Sequence, residues 1–375
     1  MRKPLALCLT LALLCAALCG CTLEQDAVSD LSQPALSTGD GPTLRLGVFL
    51  PHEDAVAEAV YQGAEYALTQ RPTVEVDGVT YWVELDWPDR SDAAALAESL
   101  TDGSYVAAFG GLDSAACGAG AASFQNTSTP LLTLAADDGK ITEKNPALFS
   151  FVPSAQEQGS ALAQWALKQE LTQAAVLTCI TDTYTNDIAV GFTKTFEKTG
   201  QVLTQTVTPE QTDFTALLNT LKKAGVPVVC APLELEQGIA LLNQAGDLGL
   251  DVQWLAGDRW SQERLLAQTG ANCEGVVLPA AYVLGQDPRF ETWAGSHLSS
   301  QGAWSAAALG YDCYQLLLDA LTQAGSLDGA ALLQALQRIQ TADGLCGALS
   351  FDFRGDAVRE AAGFVTVKKG TFELH

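Results

Sequence analysis

The stretch "LRLGVFLPHEDAVAEAVYQGAEYALTQR", residues 44–71, decides the fold. Its first seven residues are an apolar run with branched and aromatic side chains, which predicts a strand over 44–50. Residues 53–71 repeat apolar side chains at i, i+3 and i+4, which predicts an amphipathic helix. The same alternation continues along the chain. Strands are expected at "TYWVELDW" (80–87), "YVAAFG" (105–110), "TPLLTLA" (129–135), "AAVLTCI" (174–180), "QVLTQTV" (201–207), "PVVCAP" (227–232) and "VQWLAG" (252–257). Between them lie amphipathic runs at 91–100, 157–169, 186–200, 213–225 and 235–249, several closed by glycine at 200, 225 and 249. Strands that are apolar throughout and separated by helices imply parallel sheets covered on both faces.

Two such series are present, with a seam at "ALFSFVPSAQEQG" (147–159). A long helix follows at 305–325, and residues 347–374 read as short antiparallel strands with turns at Arg354-Gly355 and Lys369-Gly370. No 20-to-50-residue period repeats, so a solenoid is not expected.

With 375 residues, 48% of them hydrophobic, the chain can bury the cores of two domains. Its formal charge of −24 disfavours nucleic acid, whose phosphates need a basic surface. The N-terminus pairs "MRK" with an uncharged run through Leu18, too short to span a bilayer comfortably and ending in small residues, which reads as an export signal. Residues 21–42 are polar, rich in Ser, Asp and Gly, and read as a flexible tether. Of ten cysteines, Cys117, Cys179, Cys230, Cys273, Cys313 and Cys346 fall in the folded part. None forms a zinc-like spacing, and His52, His297 and His375 are far apart. No metal or other cofactor is expected. Most of these cysteines read as core residues, with one or two disulfides left open.

Chemistry is expected beyond the carboxyl ends of the strands, where open parallel sheets bind ligands. "FGGLDSAACGAG" ends a strand in Gly110-Gly111 and starts a helix at Ser114, whose free N–H groups favour an anion. The competing expectation is that Asp113 or Ser114 merely caps that helix. "LTLAADDG" ends in Asp137 and Asp138, the second with Gly139 read as turn chemistry. Asp258 ends the last strand of the second series, and Arg259 beside it offers the alternative of a neutralised carboxylate. A nucleotide-binding phosphate loop and a serine hydrolase are both disfavoured, because GxxxxGK[ST] and GxSxG are absent.

Two resemblances bear on these residues. Leu18-Cys19-Gly20-Cys21 resembles the lipobox of bacterial lipoproteins, which implies cleavage after residue 20 and a lipid anchor on Cys21 at the outer side of the cell membrane. The ordered pieces "LRLGVFLP", "YQGAEYAL", "AAFGGLDSAA", "PLLTLAADDGKIT", "ALFSFVPSAQEQG", "TYTNDIAVGF", "WLAGDRW" and "GALSFDFRGD" are similar to the leucine/isoleucine/valine-binding, type I periplasmic binding proteins of ABC importers. The resemblance covers nearly all of 43–375. It implies two Rossmann-like, doubly wound α/β lobes joined by a three-stranded hinge, the Venus-flytrap arrangement. One lobe is expected from 43–153 plus 284–345 and the other from 154–283 plus 346–375.

The resemblance also implies function: a non-enzymatic solute receptor that hands an amino acid, or a similar small amine or amide, to ABC permease subunits. A ligand-sensing or cell-wall-enzyme-activating lipoprotein of the same fold is the alternative, and the absence of a signalling domain after 375 favours transport. By alignment, Ser114 grips the ligand carboxylate, while Ala135, Asp137 and Asp258 hold its ammonium. Asp137 replaces a neutral hydroxyl, so with Asp258 it would give the site two negative charges. Tyr184 packs on the ligand from the second lobe, or else covers the sheet edge at a helix entry. Tyr61 or His52 contributes from the first loop. The family's further second-lobe aromatic has no match, since Leu233 and Glu234 stand there.

Overall fold

In the computed structural model, residues 41–90, 92–135, 141–143, 145–282, 284–299, 302–341, 344–359 and 363–374 are described. The export signal, residues 21–40 of the tether with Cys21, and Asp137, Asp138, Gly139 and His375 lie outside these residues.

The first sheet contains β1 (Thr43–Phe49), β2 (Thr73–Val76), β3 (Val79–Asp86), β4 (Ala107–Gly110), β5 (Leu131–Thr133) and β6 (Leu148–Ser150), in the order β2-β3-β1-β4-β5-β6. All its pairings are parallel except the β2–β3 hairpin. That hairpin turns at Asp77-Gly78, both at positive φ (50° and 75°), as a two-residue turn between right-twisted strands requires. Helices α1 (Ala55–Gln70), α2 (Ala93–Leu100) and α3 (Ser114–Thr127) follow β1, β3 and β4.

The strands are apolar throughout because both faces are covered. Val48, Phe109 and Leu132 point into one buried cluster, while their chain neighbours Phe49, Ala108 and Leu131 point into another. The second sheet repeats the device: Ala175, Leu177 and Val229 line one core, and Val176, Val228 and Cys230 the other.

That second sheet is built from β7 (Gln173–Thr178), β8 (Gln201–Thr206), β9 (Val228–Cys230), β10 (Gln253–Leu255) and β11 (Val277–Ala280), all in parallel pairings. Its helices are α4 (Ala155–Lys168), α5 (Thr183–Phe196), α6 (Thr215–Ala224), α7 (Leu235–Leu248) and the short α8 (Glu263–Thr269). After β11 come α9 (Pro288–His297), α10 (Gly302–Ala324) and α11 (Gly329–Leu336). A small antiparallel sheet of β12 (Gln340–Thr341), β13 (Leu349–Phe351) and β14 (Ala357–Arg359) precedes β15 (Gly363–Lys368) and β16 (Thr371–Leu374). The last two strands complete the second sheet in the order β8-β7-β9-β10-β11-β15-β16.

Two boundaries differ from expectation. Residues from 284 onward are expected in the first lobe, but Phe290 and Ala294 of α9 are buried with a core of the second sheet. Residues 346–375 are expected in the second lobe, but among the described residues of this stretch only 363–374 pair into its sheet. Leu349, Phe351 and Ala357 are buried with the core of the first sheet, and Ser150 N donates to Gly355 O at 2.8 Å. Arg359 holds this join by donating to Phe151 O at 2.9 Å and Cys346 O at 2.8 Å. The physical reason is that the apolar residues of β13 and β14 find their buried partners in the core of the first sheet, so that core decides their lobe.

Two helix pairs approach closely through reciprocal glycines. A Cβ at Gly63 of α1 would land on the Ala307 backbone of α10, and one at Gly310 of α10 on the Val60 backbone of α1. In the second lobe, Gly159 of α4 and Gly191 of α5 stand in the same relation to Ile188 and Gln156. Helix α10 is itself shared: Trp304, Ala307 and Ala308 are buried in a core of the second sheet, whereas Cys313 and Leu316–Leu318 belong to that of the first. Cys117, Cys179, Cys230, Cys273, Cys313 and Cys346 are buried, as expected of core residues.

Candidate functional site

In the first sheet, β3, β1, β4 and β5 are consecutive neighbours, so their carboxyl ends form one edge. Past β1 and β3, His52 stacks on Trp87 with ring centres 4.4 Å apart, and Tyr61 of α1 leans on the same indole at 4.8 Å. Trp87 Nε1 donates to Leu50 O at 2.9 Å, which fixes the ring across both strand ends. Burial, reinforced by Glu65, pushes the Tyr61 phenol well above its ordinary pKa, so it stays protonated.

Past β4 the chain turns through Gly110 and Gly111 at φ 131° and 72°. Side chains there would collide with Phe49 O and the Cys117 thiol, so only glycine lets α3 start this close to the sheet. Asp113 caps α3, its carboxylate accepting from Ala116 N at 2.7 Å. Ser114 is the first residue of the helix. Leu134 N donates to Gly110 O at 2.9 Å, which ties the chain leaving β5 to that turn, and Ala135 is buried beside it. Ser114 and Ala135 are therefore placed at neighbouring strand ends.

In the second sheet, β7, β9 and β10 are neighbours. Past β7, Asp182 caps α5 and Tyr184 lies in its first turn, 2% exposed. Past β10, Asp258 opens a single 3-10 turn. The Tyr184 hydroxyl donates to Asp258 Oδ1 at 2.5 Å, and Gln158 Nε2 of α4 donates to Asp258 Oδ2 at 3.1 Å. Burial, and then the Asp258 charge, hold the Tyr184 pKa well above the usual phenol range, so its role is fixed as donor. Gln158 is 5% exposed, and its Oε1 has no hydrogen-bond partner among the described residues.

Arg259 does not serve as the partner of the carboxylate next to it. Its Nη1 pairs with Asp182 Oδ2 at 3.3 Å and with Glu234, just past β9, while its guanidinium lies 3.9 Å above the Tyr184 ring. The second lobe thus brings Tyr184 and Asp258 into contact and covers the tyrosine's face with a cation. The sequence reading missed Trp87, Gln158 and the Asp182–Arg259–Glu234 group. Trp87 was legible as the last residue of the "TYWVELDW" run. Gln158 had only a faint signal, a polar residue on the buried helical face it shares with Leu162.

An oriented carboxylate at one sheet's strand ends and a helix N-terminus at the other's are complementary to a small molecule bearing both charges. A family model described as periplasmic binding protein matches residues 56–371. The leucine-, isoleucine-, valine-, threonine- and alanine-binding protein of Pseudomonas aeruginosa is 29% identical over 149 residues, 38% of this chain and 39% of that protein. The chain thus matches about two fifths of that curated relative's length. Among solved structures, a leucine binding protein from Thermotoga maritima superposes with a TM-score of 0.74 at 25% identity, covering 89% of this chain and 98% of that one. A solute binding protein of an ABC transporter from R. palustris, in complex with 4-hydroxybenzoate, shares the fold at a TM-score of 0.70 and 18% identity, with 88% and 95% covered. The two-sheet, bilobed α/β architecture is the one these structures share. The chain belongs to the type I periplasmic binding proteins, a family of non-catalytic, extracytoplasmic solute-binding proteins.

Proposed function

We propose that the chain is the lipid-anchored receptor of an ABC importer and captures an amino acid, or a similar small amine or amide, between its two lobes. The carrying observation is the Asp258 carboxylate, held by Tyr184 at 2.5 Å and Gln158 at 3.1 Å at the end of β10. A carboxylate oriented by two donors is a fixed acceptor for a ligand ammonium, in a charge-assisted bond worth on the order of 1.5–3 kcal/mol. In this reading the first lobe meets the other end of the solute. The N–H groups at the start of α3 and the Ser114 hydroxyl receive its carboxylate, and the Ala135 carbonyl and Asp137 share the ammonium. Tyr61 lines the first-lobe wall with His52 and Trp87.

The ligands named for the relatives fit this division of labour. Amino acids and 4-hydroxybenzoate share a carboxylate, which the helix N-terminus would take in each case. Hinge closure over the solute would then exclude water from both contacts. Cleavage before Cys21 and acylation of its thiol would keep the receptor at the membrane beside its permease. A second acyl chain would make that attachment stable.

Thermal unfolding of the purified chain with a panel of amino acids and small amides tests the reading. A true ligand at 100 times its Kd adds about 2.7 kcal/mol of stability. If no amino acid or amide raises the midpoint, the proposed ligand class is wrong. Mass spectrometry of the membrane-extracted protein tests Cys21: an N-terminus that starts elsewhere, without acyl mass, refutes the anchor.

A further inference from the structure

Past their carboxyl ends β7, β9 and β10 carry an ion cluster. Asp182, Glu234 and Arg259 come from three adjacent strand ends, and the guanidinium sits 3.9 Å above the ring of Tyr184, which is 2% exposed. An aliphatic side chain seeking the tyrosine's face would meet Arg259 first. The Arg259 and Asp182 side chains are each 25% exposed, and that of Glu234 is 59% exposed, so a solute can touch all three, with the Arg259–Glu234 pair the more open.

Pressing a branched aliphatic side chain onto such a pair strips water from both charges and returns no hydrogen bond. A cationic side chain must compete with the guanidinium for Asp182 and Glu234, and an anionic one meets Asp182, Glu234 and Asp258. A carboxamide satisfies both partners without adding charge: its carbonyl oxygen accepts from the guanidinium, whose five donors exceed those its Nη1 commits, and its NH2 donates to Glu234.

We propose that Arg259 and Glu234 form the subsite that selects the solute's side chain, and that this side chain bears a carboxamide. The inference rests on the amino-acid-receptor reading above and goes beyond it in naming the substrate class. The test is calorimetric titration of the full chain with glutamine, asparagine, leucine, isoleucine, valine, lysine and glutamate. At least one carboxamide amino acid is expected to bind tenfold or more tighter than every other one in the set. Arg259→Leu should lower that affinity at least tenfold and raise that for leucine.

Should Arg259→Leu fail to fold, Glu234→Leu gives the same readout, because Glu234 is exposed and its loss leaves the Arg259–Asp182 pair in place. Tighter binding of leucine, isoleucine, valine, lysine or glutamate than of both carboxamides overturns this inference and leaves the receptor reading standing. Unchanged selectivity in the folded variants overturns it too. Binding of none of these amino acids overturns this inference, and the receptor reading falls with it only if the wider panel of amino acids and small amides also fails to raise the melting midpoint.

Discussion

Gly257→Ala is the sharpest probe of the second-lobe site. Gly257 has φ −78° and ψ 170°, an extended conformation open to any residue, so the backbone has no objection to alanine. The objection is steric. A Cβ there would land on the Tyr184 hydroxyl and lie 2.8 Å from Tyr184 Cζ and 2.9 Å from Ile188 Cδ1. Tyr184 cannot retreat easily: it is buried, Ile188 is fully buried beside it, and Arg259 covers its face. Overpacking of this kind costs about 1–3 kcal/mol. Loss of the hydroxyl's bond to Asp258 adds about 1.5–3 kcal/mol, and the stiffer unfolded chain returns about 0.4–1. A net destabilisation of about 2–5 kcal/mol is expected from urea unfolding.

Tyr184→Phe supplies the control, since it deletes the atom with the worst overlap. In the double variant, alanine should therefore cost at least about 1 kcal/mol less than it does alone, an interaction energy ordinary for residues in contact. If Gly257→Ala unfolds within about 0.5 kcal/mol of the parent, or the two changes simply add, Tyr184 does not reach over Gly257 to Asp258 and the site geometry is wrong.

Four further outcomes are expected. Asp258→Ala should weaken the best ligand by roughly ten- to a hundred-fold in calorimetry, the loss of one charge-assisted bond, and unchanged affinity would remove Asp258 from the site. Gly310→Ala should lower stability by about 1–3 kcal/mol, because its Cβ meets the Val60 backbone. Gly118→Ala, in α3 with open space at its Cβ, should raise stability by up to about 1 kcal/mol in the same melts. Burial raises the pKa of Asp312, so the folded chain keeps a proton there that the unfolded chain releases from about pH 3.9 upward. Stability owed to this group is thus full below that pH and falls as pH rises through the raised value; in Asp312→Asn the stability–pH curve should be flatter over that window.

The parallel sheets were legible because strands buried on both faces cannot alternate, and runs such as "AAFG" and "LLT" stand out between amphipathic helices. Strand β2 escaped notice: "TVEV" is short and half-exposed, although the Asp77-Gly78 pair after it is a strong hairpin signal. At the site, Tyr184 and Asp258 were readable as residues at strand ends. Their contact was not, because it joins positions 74 residues apart. Nor does sequence decide which carboxylate Arg259 takes. Adjacency suggested Asp258, whereas the packing of three strand ends gives it Asp182 and Glu234. The choice between Asp113 and Ser114 as cap also required a backbone, and it falls to Asp113.

Helix α10 has its first turns in the core of one sheet and its later turns in that of the other. A single rigid rod embedded in two hydrophobic cores couples their melting, since neither can open without exposing apolar surface of the rod. The chain should therefore unfold in one calorimetric transition, with the van't Hoff and measured enthalpies in agreement. A solute touching either lobe would then raise the melting point of the whole molecule.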